Sequence, residues 1–231
     1  VGARDGIAYA RHPETWTMAR MPRPNVGVTT IVFSPAFAQD GTILAGTLED
    51  GVLCSQDRGV SFAAWNFGLL DLEVTSLALS PRFAQDGTGL AATPTGVFRT
   101  SNGGRAWRET ELADMETPMV SVAFAPEACL AVAADEAGEI YRSDDGGRTW
   151  ESLPVPAEGL ALNALLLLPG AAPGIVLGHS EGVHLSRNGG EDWEAWQSPA
   201  SVMCLAAQRE GSKTILLAGL LEGGIYRCEL E

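Results

Sequence analysis

The 231-residue sequence is poor in positive charge. Fifteen Lys and Arg stand against 29 Asp and Glu, and the formal net charge is −14. Lys213 is the one lysine. A protein that tracks a nucleic-acid backbone needs a basic face, and this balance argues against one. Long hydrophobic runs are also missing. Runs such as Ala164 to Pro169 are far short of the roughly 18 apolar residues that suggest a helical membrane span. Cysteine is sparse, with Cys54, Cys129, Cys204 and Cys228 lying far apart and no C-x-x-C pair. Zinc spacing is therefore absent, and the four thiols read as small apolar residues. No Asn-x-Ser/Thr acceptor occurs. The sequence opens Val-Gly-Ala-Arg-Asp, without initiator Met, basic n-region or apolar h-region. Either a leader was removed or the sequence begins inside a domain, so the compartment stays open. A sustained 3.6-residue apolar period, the mark of a long helix, is lacking as well.

What is present is a repeat. Four segments align without gaps: Ser55 to Phe62 (SQDRGVSF), Thr100 to Trp107 (TSNGGRAW), Ser143 to Trp150 (SDDGGRTW) and Ser186 to Trp193 (SRNGGEDW). Their starts are 45, 43 and 43 residues apart. A second element precedes two of them: Phe33 to Thr42 (FSPAFAQDGT) and Leu79 to Thr88 (LSPRFAQDGT). Such near-identity implies duplication.

Each unit reads as four short strands. In the first complete unit these are Val28–Ser34 (a), Thr42–Thr47 (b), Gly51–Ser55 (c) and Ser61–Asn66 (d). They are rich in β-branched, leucine and aromatic residues and are bounded by Gly, Pro, Asp and Asn. Four-stranded sheets recurring every 40 to 50 residues predict an all-β fold, a β-propeller of four-stranded antiparallel blades. One domain over 1–231 is expected: complete units at about 28–73, 74–118, 119–161 and 162–200, and partial units at 1–27 and 201–231. Six blades is the preferred count. The alternative is a five-bladed ring with Trp16–Arg20 completing the last blade as its outer strand. Either way the ends are expected to meet, because closure removes exposed sheet edges.

The eight-residue motif lies between strands c and d. Its third position is Asp57, Asn102, Asp145 or Asn188, each able to bond backbone N–H groups of its own turn. Its fifth is always glycine (Gly59, Gly104, Gly147, Gly190), suited to positive φ. Its last is aromatic, Trp107, Trp150, Trp193 or Phe62, placed to cover the hairpin. The pattern Ser-x-Asp-x-Gly-x-Thr-Trp resembles the Asp-box of the bacterial neuraminidase repeat, matched at every defined position by Ser143 to Trp150 and degenerately elsewhere. The resemblance covers most of the chain. It implies a propeller in which the boxes are structural and lie away from any catalytic centre. It leaves function open, because Asp-boxes occur in sialidases, xyloglucan-cleaving enzymes, sorting receptors and photosystem II assembly factors.

Motifs with chemical potential are few. Gly178-His-Ser-Glu-Gly182 matches the nucleophile elbow G-x-S-x-G, but that mechanism needs a strand, a sharp turn and a helix. Here the segment aligns with Ala92 to Gly96, a hairpin turn, and Ser180 is read as a turn residue. His179 and His184 lie five apart across this hairpin without a signalled third ligand, and a structural role is expected; no metal or cofactor is called for. A sialidase would need three arginines on a substrate carboxylate. Arg99, Arg142 and Arg227 are repeat-equivalent and read as a packing or surface feature. Trp65 and Trp196 are the tryptophans left over from the repeat for a sugar platform.

The expected function is therefore that of a non-catalytic propeller that binds another protein or organises an assembly; the alternative is a glycan-directed protein, hydrolase or lectin. With strand order a-b-c-d, the d–a and b–c loops share one face. That face collects Asp71, Glu73, Asp114, Glu116 and Glu158, with Glu49, Asp50, Asp135, Glu136, Glu181 and Glu222, against Arg4, Arg20 and Arg23. The a–b and c–d loops mix acids with Arg58, Arg82, Arg105, Arg148, Arg187, Arg209 and Lys213. An acidic docking face for a basic protein segment is expected, with a glycan as the other partner class.

Overall fold

The computed structural model describes residues 1–12, 14–113, 115–156, 159–170, 173–211 and 213–230, the side chain of Arg11 excepted. The chain is all-β and forms six antiparallel sheets in sequence order. The first holds β1 (Gly2–Ala3), β2 (Gly6–His12) and β3 (Thr15–Met18). The second holds β4 (Val28–Phe33), β5 (Ile43–Thr47), β6 (Val52–Ser55) and β7 (Ala63–Ala64). The third holds β8 (Ser76–Leu79), β9 (Thr88–Thr93), β10 (Gly96–Ser101) and β11 (Arg108–Ala113). In the fourth are β12 (Met119–Phe124), β13 (Ala131–Asp135), β14 (Ile140–Ser143) and β15 (Glu151–Leu153). The fifth has β16 (Leu162–Leu168), β17 (Gly174–His179), β18 (Gly182–Ser186) and β19 (Glu194–Gln197). The sixth has β20 (Val202–Glu210), β21 (Lys213–Leu220) and β22 (Ile225–Leu230). Every sheet pairs its strands in chain order, the meander of a propeller blade.

The core is a series of contacts between neighbouring sheets. Ile7 and Ala19 of the first sheet pack on Ile43, Ala45 and Leu53 of the second. Leu44, Val52 and Cys54 meet Leu77, Ala91 and Phe98. Leu90 and Val97 meet Met119, Val122 and Ala131. Ile140 meets Leu162, Ile175 and Leu177, and Val183 and Leu185 meet Val202 and Leu216. This explains why strands b and c read as continuous apolar runs: β5, β6, β9, β13, β17 and β18 are buried on both faces.

Three expectations change. The repeated Phe-Ala-Gln-Asp-Gly-Thr element is a one-turn helix, α1 (Phe37–Asp40) and α2 (Phe83–Asp86), where loops were expected. Each ends on a left-handed glycine, Gly41 at φ 62° and Gly87 at φ 61°, whose N–H returns to the carbonyl of Phe37 or Phe83. One turn is too short to show a helical period. Second, the five-bladed alternative fails. Thr15–Met18 is held by β2, with Ala8 opposite Met18 and Ala10 opposite Trp16, and does not serve as outer strand of the last sheet. Third, the sheets do not close into a ring through strand pairing. The first carries strands b, c and d, the last a, b and c, and no hydrogen-bonded pairing joins them among the described residues. Their outer faces are open, with Trp16 and Met18 each 58% exposed and Ile225 71% exposed.

Candidate functional site

The c–d turns are built from their own side chains. Asp145 Oδ1 accepts the N–H groups of Arg148 (2.9 Å) and Thr149 (3.0 Å) and the Ser143 hydroxyl (2.9 Å), while Oδ2 accepts the Thr149 hydroxyl (2.8 Å). Ser143 Oγ in turn accepts Gly147 N–H at 2.8 Å. Burial works against ionisation of Asp145, but the donors from Thr149, Ser143 and Arg148 outweigh it and lower its pKa to about 2. Asp57 is lowered in the same way by Ser61 and Ser55. Asn102 accepts from Ala106 N–H (2.9 Å) and Asn188 from Asp192 N–H (3.0 Å). All four turns thus use one design, and their glycines Gly59, Gly104, Gly147 and Gly190 have φ between 83° and 101°.

The turns also act between sheets. The terminal aromatic also reaches back to the preceding sheet. Trp107 Nε1 donates to the carbonyl of Trp65 (2.9 Å) and Trp193 Nε1 to that of Pro154 (3.0 Å), while Phe62 packs with Ile7 and Ala19. Trp150 packs against the same kind of seam, but its Nε1 is buried without a partner. From the other direction, Arg99 Nε donates to the Gly146 carbonyl of the next turn at 2.7 Å. Arg142 binds Asp144, and Arg227 binds Glu210 and Glu229. The three arginines serve three separate blades.

On the opposite side, the b–c turns and d–a connections form one continuous rim. Gly51 N–H donates to the Leu72 carbonyl (2.9 Å), Thr95 Oγ1 to Asp71 Oδ2 (3.2 Å), and Glu136 N–H to the Pro118 carbonyl (2.9 Å). Ser198 N–H bonds the Glu181 carbonyl (3.1 Å) and Leu221 N–H that of Ser201 (2.9 Å). Along this rim Glu49, Glu73, Glu116, Glu136, Glu181 and Glu222 are exposed. Asp71 is half-buried and accepts Glu73 N–H (3.0 Å). Asp50 is largely covered and paired with Arg23, which also lies 3.5 Å from Glu49. Asp135 is no part of the accessible set: it is 2% exposed and accepts Glu139 N–H at 2.9 Å. Burial raises its pKa against the pull of those N–H donors. Arg20 is drawn away by backbone pairing to Ser61 in the second sheet's c–d turn. Asp114 and Glu158 lie outside the described residues.

The same rim contains a feature that motif reading missed. The last residue of strand b is buried in four sheets, as Thr47, Thr93, Asp135 and His179, and each binds its own b–c turn. Thr47 Oγ1 accepts Asp50 N–H (2.9 Å), Thr93 Oγ1 donates to the Gly96 carbonyl (3.1 Å), and His179 Nδ1 accepts Glu181 N–H (3.2 Å). The signal was a small residue followed by a polar one just before each turn, as in Gly46-Thr47, Ala92-Thr93 and Gly178-His179. Ser180 sits in the tip between β17 and β18, where a strand, not a helix, follows. Trp65 and Trp196 are half-buried, and the Arg105 guanidinium lies 5.5 Å over the Trp65 ring.

A cavity of about 870 Å³ opens between the first two sheets, lined by Val1, Tyr9, Trp16, Ile31, Phe33 and Phe37 among others. It is mainly apolar and lies beside β1, an edge strand of its sheet. No group of three or more His, Cys, Asp or Glu able to hold a metal occurs among the described residues.

Comparison with solved structures shows the same fold at low identity. An ancestral GH74 enzyme matches 87% of this chain with a TM-score of 0.65 at 17% identity, over 31% of its own length. The GH74 xyloglucanase from Xanthomonas campestris matches 87% of the chain with a TM-score of 0.64 at 18% identity, over 36% of its length. YCF48 bound to D1 peptide matches 93% of the chain with a TM-score of 0.64 at 16% identity, over 67% of its length. The chain thus spans about a third of the length of the two GH74 enzymes. At these identities the likeness establishes the propeller fold alone. No protein-family model matches the chain, and no curated protein matches it.

Proposed function

We propose that this chain is a non-catalytic propeller of the Asp-box type whose acidic rim docks a basic segment of a partner protein. The observation that carries this reading is a row of exposed glutamates on the rim beside few basic side chains, whereas the exposed acids of the other face, such as Glu127, Asp144 and Glu191, lie among the exposed Arg58, Arg82, Arg105 and Arg148. On the a–b and c–d side, Asp40 and Asp86 bind Ser34 and Ser80 hydroxyls and the N–H groups of Thr42 and Thr88, and Asp57 and Asp145 bind their own turns. On the rim, Glu49, Glu73, Glu116, Glu136, Glu181 and Glu222 point to solvent, with Arg4 in the β1–β2 turn and Arg23 beside Glu49 as basic side chains. Exposed carboxylates of one sign attract a cationic segment and speed its encounter. A peptide-bound neighbour, YCF48 with D1 peptide, supports protein binding as a use of the fold.

The test uses a fluorescent Arg/Lys-rich peptide and anisotropy. Binding is expected to weaken as salt rises from about 0.05 to about 0.3 M, where the screening length shortens. Reversal of Glu73, Glu136 and Glu181 to Lys is expected to abolish it without lowering the melting temperature. Binding indifferent to that triple change would overturn the rim assignment. The second reading, a glycan-directed protein, is favoured by the GH74 neighbours; saccharide binding or cleavage by the wild-type chain with no peptide binding would replace the first reading with it.

A further inference from the structure

In the fifth sheet the capping position of the b–c turn is taken by His179, and its ring meets a second histidine. His179 and His184 are 3% and 9% exposed, with rings stacked at 4.8 Å between centroids. His184 Nδ1 lies 3.0 Å from His179 Nε2, and His179 Nδ1 accepts the Glu181 N–H at 3.2 Å. These contacts fix the protons. Because Nδ1 of His179 accepts, the neutral ring carries its hydrogen on Nε2 and donates it to His184 Nδ1. His184 must then carry its own hydrogen on Nε2.

A further proton has no place in this arrangement. On His179 Nδ1 it would oppose the Glu181 N–H. On His184 Nδ1 it would oppose the His179 Nε2 hydrogen, a conflict relieved only by moving that hydrogen to His179 Nδ1, again against Glu181 N–H. Each route loses the part-buried hydrogen bond from Glu181 N–H. We propose that the His179–His184 pair is an acid-sensitive latch on the 179–182 turn: protonation releases the turn from strand β17 and loosens its bonds to the segment leading into the sixth sheet. Those bonds are Ser198 N–H to the Glu181 carbonyl (3.1 Å) and Ser201 Oγ to the Ser180 carbonyl (3.4 Å).

The surroundings favour the neutral pair. Burial holds both rings below the ordinary histidine pKa; for His179 the neighbouring His184 adds to this and the Glu181 carboxylate opposes it. The strands paired to the two rings place Leu162 opposite His179 and Ala195 opposite His184, neither of them charged. In the adjoining sheets the equivalent positions hold Asp135, whose carboxylate is bound to its own turn, with Tyr141 on one side, and Leu220 with Tyr226 on the other. The latch therefore stays closed at neutral pH and opens only in acid, below the ordinary histidine value. Its sign is fixed: the unfolded chain binds protons more readily than the buried pair, so the turn loses stability as pH falls.

The other repeats supply the control. Threonine caps the equivalent turn as Thr47 and Thr93, so His179→Thr should keep the turn and remove its titration. Hydrogen-exchange protection of the Glu181 and Ser198 amides, corrected for intrinsic rates, is expected to fall about tenfold between pH 7.5 and pH 5 in the wild-type protein, the weight of about one hydrogen bond. In His179→Thr it should stay flat. Nitrogen-15 spectra of the wild-type rings should show Nε2–H tautomers for both histidines at pH 7.5. His184→Phe, which copies Phe98 at the equivalent position of the third sheet, is expected to weaken the pH response with the turn still formed. Unchanged protection in the wild-type protein, a different tautomer pair, or an equal acid loss in His179→Thr would each overturn the latch. These measurements do not involve a partner, so they stand apart from the docking proposal.

Discussion

Gly147→Ala tests whether the c–d turns hold adjacent sheets together. Gly147 has φ 83°, and an added Cβ would lie 2.5 Å from Leu90 Cδ2 and 3.3 Å from Leu90 Cδ1. Leu90 belongs to the third sheet, is fully buried, and packs with Met119, Val122 and Ala131 of the fourth. A side chain at the end of a leucine could ordinarily be passed by a rotamer change, but here its neighbours must move as well. The left-handed backbone costs about 1–2 kcal/mol for a residue bearing Cβ. Overpacking against Leu90 adds about 1–3 kcal/mol, for a total of about 2–5 kcal/mol. Gly223 isolates the second contribution: its φ is 90°, yet an added Cβ would meet nothing within 4 Å. Gly223→Ala should therefore cost only the backbone part, about 1–2 kcal/mol. Urea unfolding followed by circular dichroism and tryptophan fluorescence measures both, with coincident transitions as the check on two-state behaviour. In a Leu90→Ala background the Gly147→Ala cost should drop toward that of Gly223→Ala, because the obstructing side chain is gone. Equal costs for Gly147→Ala and Gly223→Ala in the wild-type background would refute the inter-sheet contact.

Two further perturbations probe the same seams. Asp145→Asn should destabilise the chain by about 0.5–2 kcal/mol, by analogy with capping residues, and should flatten the acid limb of the stability profile: the Asp145 contribution is full above its ordinary value of 3.8 and is lost as pH falls through about 2, so melts at pH 4 and pH 2.5 should differ less in the variant. Arg99→Met removes the 2.7 Å bond to the Gly146 carbonyl while keeping much of the apolar stem, and a loss of about 1–2 kcal/mol in urea titrations is expected; an unchanged midpoint would show that this arginine is idle.

Most of the fold was legible because duplication repeats every local cue at once. Strand a of the second sheet was expected at 28–34 and forms at Val28–Phe33, and strand b, expected at 42–47, forms at Ile43–Thr47. Strand d fared worse: expected over 61–66, it is regular only at Ala63–Ala64, because Ser61 bridges Arg20 of the preceding segment and Phe67 bridges Ala106 of the third sheet, while Trp65 keeps its N–H on Val52 and lends its carbonyl to Trp107. Such contacts between units leave no trace in the periodicity of one unit. The helical turns at Phe37–Asp40 and Phe83–Asp86 were hidden for another reason: a single turn is set by its glycine cap and by the Asp40 and Asp86 bonds to the following strand. Burial of Asp135 was hidden by its neighbours, since Asp135-Glu136 reads as an exposed acidic pair while only Glu136 faces water.

The candidate site follows from the same distinction between carboxylates engaged within a turn and carboxylates left to solvent. A polar side chain that satisfies backbone N–H groups is fixed by folding, and its loss is felt as instability wherever a ligand binds. Asp57, Asp145 and Asp135 are of this kind, although the first two lie on one face and the third on the other. Glu73, Glu136 and Glu181 have backbone atoms tied into the rim and side chains exposed. Their positions are fixed by main-chain bonds while their charges remain available. That combination gives an acidic surface whose spacing is set by the blade repeat, and it makes charge reversal there a test of binding instead of a test of folding.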